Sequence, residues 1–195
     1  MKIVTIFDDK GTNRVLFEKA EAIDFSTAEG LADAADVAEK LKETFLSLMP
    51  AAGLAATQIG VGKQAFVYSW NRSPEALEIV INPKILEQSE SKKSSWEVCF
   101  STMDESGLVK AANVLRPEEI LVEYNDVFGN LIRKRLKAFT ARVFQHEFDH
   151  LQGIVITEPK ENEIKTFASK EEMTVFMKSV REKEKMEFLE PVSIH

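Results

Sequence analysis

The chain has 195 residues, of which 44% are hydrophobic and 29% charged, and its net charge is −7. These values are typical of a globular protein with one domain-sized core, and the acidic balance gives no support to specific nucleic-acid binding. No apolar run approaches the ~20 residues that span a bilayer, and the apolar stretch near the N-terminus is too short for a signal peptide, so a cytoplasmic protein without a membrane partner is expected.

The first predicted elements are a short strand and a long helix. Residues 2–7 alternate weakly and predict the strand. Residues 26–29, Ser-Thr-Ala-Glu, match a capping box with Ser26 as the cap, and Pro50, which lacks an N–H, is expected to stop the helix. Apolar residues recur between them at helical spacing: Leu31, Ala34, Ala35, Ala38, Leu41, Phe45 and Leu48.

The middle of the chain predicts β structure. The turn signal at residues 127–130 favours a hairpin. Residues 87–95 are polar and predict a mobile loop, and the basic run at residues 133–137 is interpreted as the solvent face of a strand rather than a nucleic-acid site. Candidate strands lie at residues 64–70, 77–82, 120–124 and 131–136.

Two further helices are predicted in the last third of the chain. One covers about residues 140–152 and ends at Gly153, and the other follows a possible capping box at Ser169. The second of these carries Met173, Phe176, Met177 and Val180 on one face. No repeat or domain boundary is evident, so we expect one domain over residues 1–195, with a C-terminal helical extension over about residues 160–195.

Two of the three histidines lie four residues apart in the helix predicted over about residues 140–152. Each helical residue advances by about 100°, so His146 and His150 share one face and can bind one metal ion. Glu147 is offset on the same side, where it can act as a base toward the attacking water. This His-Glu-x-x-His pattern is typical of metallohydrolases. The alternative is an amphipathic helix that happens to contain two histidines.

A catalytic site with two histidines needs a third protein ligand and leaves a fourth position for water. The candidates are the terminal His195 and the single cysteine, Cys99, which has no partner for an intrachain disulfide. A lone cysteine is by default a buried apolar residue. Cys99, however, is flanked by Glu97 and Ser101, and a thiolate is a strong ligand for Zn²⁺ or Fe²⁺. Cys99 is therefore the expected third ligand.

Three segments resemble the signature motifs of the peptide deformylases, which are Gly-x-Gly-Leu-Ala-Ala-x-Gln, Glu-Gly-Cys-x-Ser and Gln-His-Glu-x-Asp-His. Residues 53–58 are Gly-Leu-Ala-Ala-Thr-Gln, residues 97–101 are Glu-Val-Cys-Phe-Ser, and residues 145–150 are Gln-His-Glu-Phe-Asp-His. Their order and approximate spacing also match, and the resemblance covers about residues 28–157. The combination is more specific than any single motif.

The resemblance implies an α+β fold, with small antiparallel or mixed sheets around a central metal-binding helix. It implies hydrolysis of the formyl group from the N-terminal formylmethionine of new polypeptides. One divalent metal per chain would be bound by Cys99, His146 and His150, usually Fe²⁺ and replaceable by Ni²⁺, Co²⁺ or Zn²⁺. Association of the family with the ribosome makes the ribosome surface a conceivable partner.

The resemblance also implies roles for other residues. Glu147 would be the general base and then the acid that protonates the leaving amine. The Gln58 side-chain amide and the backbone N–H of Phe100 would stabilise the oxyanion. The backbone around Ala52 and Gly53 would bind the substrate peptide as an added strand.

Asp149, the second acid of the third segment, is not expected to bind the metal. By the resemblance it orients the helix or pairs with an arginine, for which Arg116 and Arg142 are the candidates. A solvent-exposed helix acid is the alternative from the sequence alone.

Several positions depart from the family pattern. Ala51 replaces the first glycine of the first motif and Thr57 the usual proline, and neither change touches a reacting group. Val98 replaces the glycine before the metal-binding cysteine, where the substrate backbone should pass, so its branched side chain could narrow the cleft or change the backbone angle. The proline and arginine that usually follow the second motif are absent, and no arginine occurs between Ser101 and Arg116.

These departures leave three hypotheses. The first is an active deformylase with an altered substrate cleft. The second is a divergent metal amidase that acts on another formyl or acyl amide. The third is a metal-binding homologue with weakened or lost catalysis. Retention of Gln58, Glu147 and the three metal ligands argues against the third, because a protein without catalysis has no chemical need for the base.

Overall fold

Two antiparallel sheets and three α-helices make up the part of the chain that this computed structural model describes, residues 1–185 and 187–194. None of the described helices is long and apolar enough to cross a bilayer. The helices are α1 (Ala28–Ser47), α2 (Ala138–Leu151) and α3 (Lys170–Glu184). The strands are β1 (Gly53–Ala55), β2 (Ala65–Ser69), β3 (Leu77–Gln88), β4 (Lys92–Met103), β5 (Val109–Pro117), β6 (Glu119–Asn125), β7 (Leu131–Lys137), β8 (Glu163–Phe167) and β9 (Val192–Ser193).

The strands form a six-stranded sheet in the order β1-β2-β3-β6-β7-β9 and a three-stranded sheet in the order β4-β5-β8. Each ladder between these strands is antiparallel. The predicted hairpin is confirmed, since β6 and β7 pair with Val122 opposite Lys134. The expected α+β fold with small antiparallel sheets is therefore confirmed. As predicted for the basic run, most of its cations are partly or largely exposed, and they pair with acids of neighbouring strands.

The six-stranded sheet is covered by a helix on each face. In β2, Phe66 and Tyr68 belong to the core around α2, whereas Val67 packs in the core beneath α1. Successive strand residues point to opposite faces, so a strand covered on both sides reads as an unbroken apolar run. The buried Phe144 of α2 lies edge-on to Phe66, with 4.9 Å between ring centroids. This aromatic packing positions α2 against the sheet.

The first helix begins one residue later than the capping box predicted. Thr27 is the cap, and its hydroxyl accepts a hydrogen bond from the Gly30 N–H at 3.0 Å. Ser26 donates instead to the Asp24 carboxylate. Leu31 is 44% exposed and does not belong to the buried face of α1 as predicted; in the first turn the buried residue is Gly30.

Two local predictions were wrong. Residues 2–7 are not a strand, because their backbone N–H groups bond to separate segments: Val4 to the Gln58 carbonyl and Ile6 to the Ser101 carbonyl. The predicted loop at residues 87–95 is limited to residues 89–91, since β3 continues to Gln88 and β4 starts at Lys92. There the neighbouring strands β5 and β6 supply hydrogen-bonding partners, and this pairing overrides the polar composition.

The predicted start of α3 is confirmed at Ser169, whose hydroxyl accepts from the Glu172 N–H at 3.2 Å. The helix packs on the three-stranded sheet. The ring of Phe176 lies 5.4 Å from Trp96 of β4 and 5.2 Å from Phe167 of β8. The C-terminal helix therefore covers the sheet that carries the cysteine segment.

Candidate metal centre and active site

Cys99, His146 and His150 come together as a cluster of possible metal ligands. Their ligand atoms all lie within 4.8 Å of one another. Cys99 Sγ is 3.1 Å from His150 Nε2, and the two imidazole rings on adjacent turns of α2 are 5.2 Å apart. One thiolate and two imidazoles suit a tetrahedral metal and leave one coordination position open. The other candidate ligand, His195, lies outside the described residues.

The cysteine is placed by an irregularity in β4. Val98 lies opposite Ala111 and Met103 lies opposite Val109, so the four residues 99–102 face a single residue of β5. Such bulges bend a strand and change the direction of its side chains. The Thr102 hydroxyl lies within hydrogen-bonding distance of two carbonyls at the bulge, 2.9 Å from that of Cys99 and 2.6 Å from that of Lys110, and its single proton is shared between them. No pattern in the sequence predicts this bulge.

Glu97 holds His146 in the orientation that metal binding needs. Its carboxylate lies 2.8 Å from His146 Nδ1, which leaves the other ring nitrogen for a metal. Arg116 makes two hydrogen bonds to the same carboxylate, at 2.6 and 2.9 Å, and Arg142 adds one at 2.7 Å. Burial alone would raise the pKa of Glu97, but the charge of Arg116 and the hydrogen bonds from His146 and Arg116 hold it well below its usual range.

The role of Glu97 was missed in the sequence. Glu97 and Cys99 lie two residues apart on a strand, and such residues point to the same face. This spacing could have predicted that Glu97 lies beside the metal ligands. Of the two arginines proposed for Asp149, Arg116 is the partner, at 2.8 Å, and Arg142 binds Glu97 instead. Arg116 thus connects the acids of two segments.

We expect Arg116→Gln to lower the free energy of unfolding by about 3 kcal/mol, because it leaves the buried Glu97 carboxylate without its closest charge partner. Arg135→Gln is the matched control, since Arg135 forms more exposed ion pairs and should cost less than about 1 kcal/mol. Urea denaturation of the two variants measures the difference. Equal, small losses would show that Arg116 contributes no more than a surface ion pair.

Gln58 projects into the same cluster from the turn that follows β1. Its side-chain oxygen accepts from the Ala55 N–H at 2.9 Å, which orients the amide. The amide nitrogen lies 3.2 Å from Cys99 Sγ and 3.1 Å from Ser101 Oγ. A buried N–H donor is therefore preorganised beside the metal ligands, where an oxyanion could accept it.

Glu147 lies beside this cluster and is 4% exposed. Burial raises the pKa of its carboxyl to about 7, and the charge of Glu97 adds to the effect. Its Oε2 has no hydrogen-bond partner among the described residues. Gly53 leaves room for this carboxylate, since a Cβ at position 53 would lie 2.3 Å from Glu147 Oε1. A buried acid that titrates near neutral pH has the properties of a general base.

These side chains line one cleft with a cavity of about 160 Å³. Ala52, Gly53 and Val98, the predicted substrate contacts, all lie on it. The backbone at Val98 is ordinary β-strand paired with Ala111, so the valine requires no unusual backbone angle. The cleft also has lining residues from outside the three motif segments, and among those missed in the sequence are Arg72, Met177 and Arg181.

The donor set fits a divalent metal. The buried thiol and two imidazoles converge, one imidazole is oriented by a carboxylate, and the unpartnered Glu147 oxygen lies close by. A mixed sulfur and nitrogen set of this kind suits Zn²⁺ and Fe²⁺. The site therefore suits a metal ion, and it places an acid, Glu147, and an amide donor, Gln58, beside that ion.

Comparisons with known proteins support the interpretation of this site as a metal centre. The polypeptide deformylase family model matches residues 1–165. Peptide deformylase 2 of Nostoc sp. is 35% identical over 136 residues, which are 66% of this chain and 73% of that protein. The peptide deformylase of Thermotoga neapolitana is 38% identical over 104 residues, which are 53% of this chain and 58% of that protein.

Solved structures agree with the sequence matches. The crystal structure of peptide deformylase from Thermotoga maritima is 31% identical and superposes on 81% of this chain and 96% of its own, with a TM-score of 0.65. The chain therefore belongs to the peptide deformylase family, metallo-hydrolases that remove N-formyl groups, and it carries a metal site typical of that family at Cys99, His146 and His150.

Proposed function

We propose that this protein hydrolyses the formyl group from the N-terminal formylmethionine of nascent polypeptides. The observation that carries the proposal is a cluster of three metal ligands beside a cleft that Cys99, His146, the Gln58 amide and the Glu147 carboxyl line. A divalent metal held by Cys99, His146 and His150 would supply Lewis acidity and lower the pKa of a bound water. Fe²⁺ is proposed as the native metal.

Glu147 is proposed to transfer the proton of the attacking water to the leaving amine. Its pKa of about 7 lets the carboxylate accept a proton from the attacking water at neutral pH. The same carboxylic acid then gives that proton to the amine that leaves when the C–N bond of the formamide breaks. One residue thus acts in both halves of the reaction, and the products are formate and a free N-terminus.

The oxyanion is proposed to bind to two N–H donors. Gln58 Nε2 is held in place by the bond from Ala55 N–H to the other end of its amide. The backbone N–H of Phe100, directly after the metal-binding cysteine, is the second donor. Donors that are already oriented cost no reorganisation as charge develops, and each is typically worth about 3–4 kcal/mol to the transition state.

The peptide is proposed to bind as an extended strand. β1 is the edge of the six-stranded sheet and β4 is the edge of the three-stranded sheet, and both contribute residues to the cleft. Edge strands offer free backbone groups to an added strand. The methionine side chain would occupy the apolar part of the cleft, lined by Phe139, Val143 and Met177. Backbone contacts through Ala52 and Gly53 would bind many sequences alike.

The test is hydrolysis of matched peptides by protein loaded with Fe²⁺ or Ni²⁺ under reducing conditions. Formyl-Met-Ala-Ser should be hydrolysed at least about 100-fold faster than acetyl-Met-Ala-Ser, with release of the free amine as the readout. Equal rates on both peptides would favour the divergent amidase. No turnover of either by fully metallated protein would favour the non-catalytic homologue.

We expect Gly53→Ala to lower kcat/KM about 100-fold, because the added methyl group must displace the Glu147 carboxylate. Gly62→Ala is the matched control, since its Cβ would meet nothing closer than 4.0 Å. Steady-state kinetics on a formyl-Met peptide, together with metal analysis, measures the effect. Full activity in Gly53→Ala would mean that the carboxylate position is not critical.

A cytoplasmic location and a contact with the ribosome surface complete the proposal, because formylated N-termini are available on nascent chains. Cosedimentation of the metallated protein with ribosomes tests the contact. A complete absence of cosedimentation at low salt would remove the ribosome from the proposal and leave the hydrolysis untouched.

A further inference from the structure

Two arginines on the wall of the cleft have no anionic partner among the residues that the structure describes. Arg72 follows β2 and Arg181 lies near the end of α3, and both line the same cavity as Glu147 and Cys99. Within residues 1–185 and 187–194, no hydrogen bond or ion pair involves either guanidinium. The Nε–H of Arg72 is buried and unpartnered. Buried donors are nearly always paired in folded proteins, so the Nε–H of Arg72 lacks an acceptor. The side chain of Arg181 is partly buried.

The position of Arg72 is held by its surroundings. Its guanidinium carbon lies 5.1 Å from the centroid of the Phe139 ring, a cation-π contact. Its backbone is in the left-handed region, with φ of 61°. That conformation is uncommon for a residue other than glycine and is retained where surrounding structure enforces it. The contact with Phe139 therefore holds the guanidinium at the wall of the cleft.

Electrostatics at this end of the cleft favour an anion. Burial, with a smaller contribution from the nearby charge of Arg181, lowers the pKa of Arg72 to about 10. The two acidic residues that line the cleft, Glu97 and Glu147, do not neutralise the two arginines. Glu97 is already bonded to Arg116, Arg142 and His146. The remaining acid, Glu147, has no ion pair among the described residues and lies against Gly53.

We propose that Arg72 and Arg181 bind a carboxylate of the substrate peptide, located on the C-terminal side of its methionine. The inference rests on the proposed function, which supplies a peptide to this cleft. Guanidinium groups match carboxylates geometrically and bind them with charge-assisted hydrogen bonds. The carboxylate can be an acidic side chain or the free C-terminus of a short peptide. This subsite would give sequence preference to a cleft whose backbone contacts give none.

Matched peptides distinguish the two sources. Formyl-Met-Ala-Ala amide is the neutral reference, and formyl-Met-Ala-Ala free acid tests the C-terminal carboxylate. Formyl-Met-Asp-Ala amide and formyl-Met-Ala-Asp amide test acidic side chains, each against its Asn counterpart. The metallated wild-type protein should favour at least one carboxylate peptide over its neutral partner by about tenfold in kcat/KM, and this preference should shrink at high salt.

Arg72→Gln and Arg181→Gln should each reduce that preference ratio, and the double variant should abolish it. Because the ratio compares two peptides on one protein sample, a general loss of folding or metal does not change it. Lys183→Gln, an exposed position on the same helix, is the matched control and should keep the wild-type ratio. Arg181→Glu should transfer the preference to a Lys peptide. Equal kcat/KM values for all pairs in the wild-type protein would overturn the inference.

The two proposals fail in different ways. If neutral formyl-Met peptides are hydrolysed without any carboxylate preference, deformylation stands and the arginine subsite is wrong. If no peptide is hydrolysed, deformylation is wrong, and calorimetric binding of the same peptides to wild-type and double-variant protein decides the subsite. Tighter binding of carboxylate peptides that is lost in the double variant supports it, and equal binding overturns it.

Discussion

Glu147→Gln is expected to lower kcat on formyl-Met peptides by about 1,000-fold while the metal content is unchanged, since general acid–base catalysis contributes about 100- to 10,000-fold. The amide keeps the size of the carboxyl but neither accepts the proton of the attacking water nor returns it to the leaving amine. The ligand atoms of Cys99, His146 and His150 are untouched. Steady-state kinetics with metal analysis of the same sample measures both quantities.

Glu39→Gln, on the exposed face of α1, is the matched control for this substitution and should keep wild-type kinetics. A comparison of kcat with KM adds detail, because loss of the proton-transfer group should lower kcat with little change in KM. A Glu147→Gln protein with full metal and undiminished kcat would contradict the assignment of Glu147 as the base. The search for a base would then turn to another cleft residue.

The second large effect is expected from Cys99→Ala, which should weaken metal binding by more than about 100-fold. Loss of an outer partner of a ligand already costs about 10- to 100-fold, and this change removes a ligand itself. The remaining imidazoles of His146 and His150 would hold the ion with two donors instead of three. Competition with a chromogenic chelator measures the affinity, and activity should fall with occupancy.

Ser94→Ala, exposed on the same strand, is the matched control and should bind metal as the wild-type protein does. Cys99→Ser provides a graded comparison, because it offers a harder oxygen donor in place of the thiolate. Undiminished affinity in Cys99→Ala would mean that another residue completes the site. Because Cys99 is the single cysteine of the chain, thiol titration also reports directly on whether the metal protects it.

The structure bears on the departures from the family pattern that the sequence showed. Val98 is the last residue of β4 before the bulge and pairs with Ala111, so its backbone is unstrained and its side chain lies on the wall of the cleft. The missing arginine after Ser101 does not leave the cleft without cations, because Arg72 and Arg181 reach it from other elements. Neither departure removes a metal ligand or Glu147.

Much of the site could be predicted from the sequence because its chemistry is local. His146, Glu147 and His150 share one helix, so the 3.6-residue period alone places them on one side. The hairpin of β6 and β7 follows from a turn signal between two strands of matching length. The caps of α1 and α3 were predicted to within one residue, because capping depends on neighbouring side chains and backbone groups. Motif similarity then linked Cys99 and Gln58 to the helix.

Only the tertiary structure decided what depends on distant segments. Polar residues near position 90 extend into β3 and β4 because β5 and β6 pair with them, and residues 2–7 bond to two different partners and form no ladder. The bulge at Cys99, the bonds of Glu97 to residues from β5 and α2, and the placement of Arg72 and Arg181 on one cleft arise in the same way. Local periodicity carries no information about such long-range pairings. The metal ligands and the base could therefore be predicted from the sequence, whereas the residues that form the walls of the cleft could not.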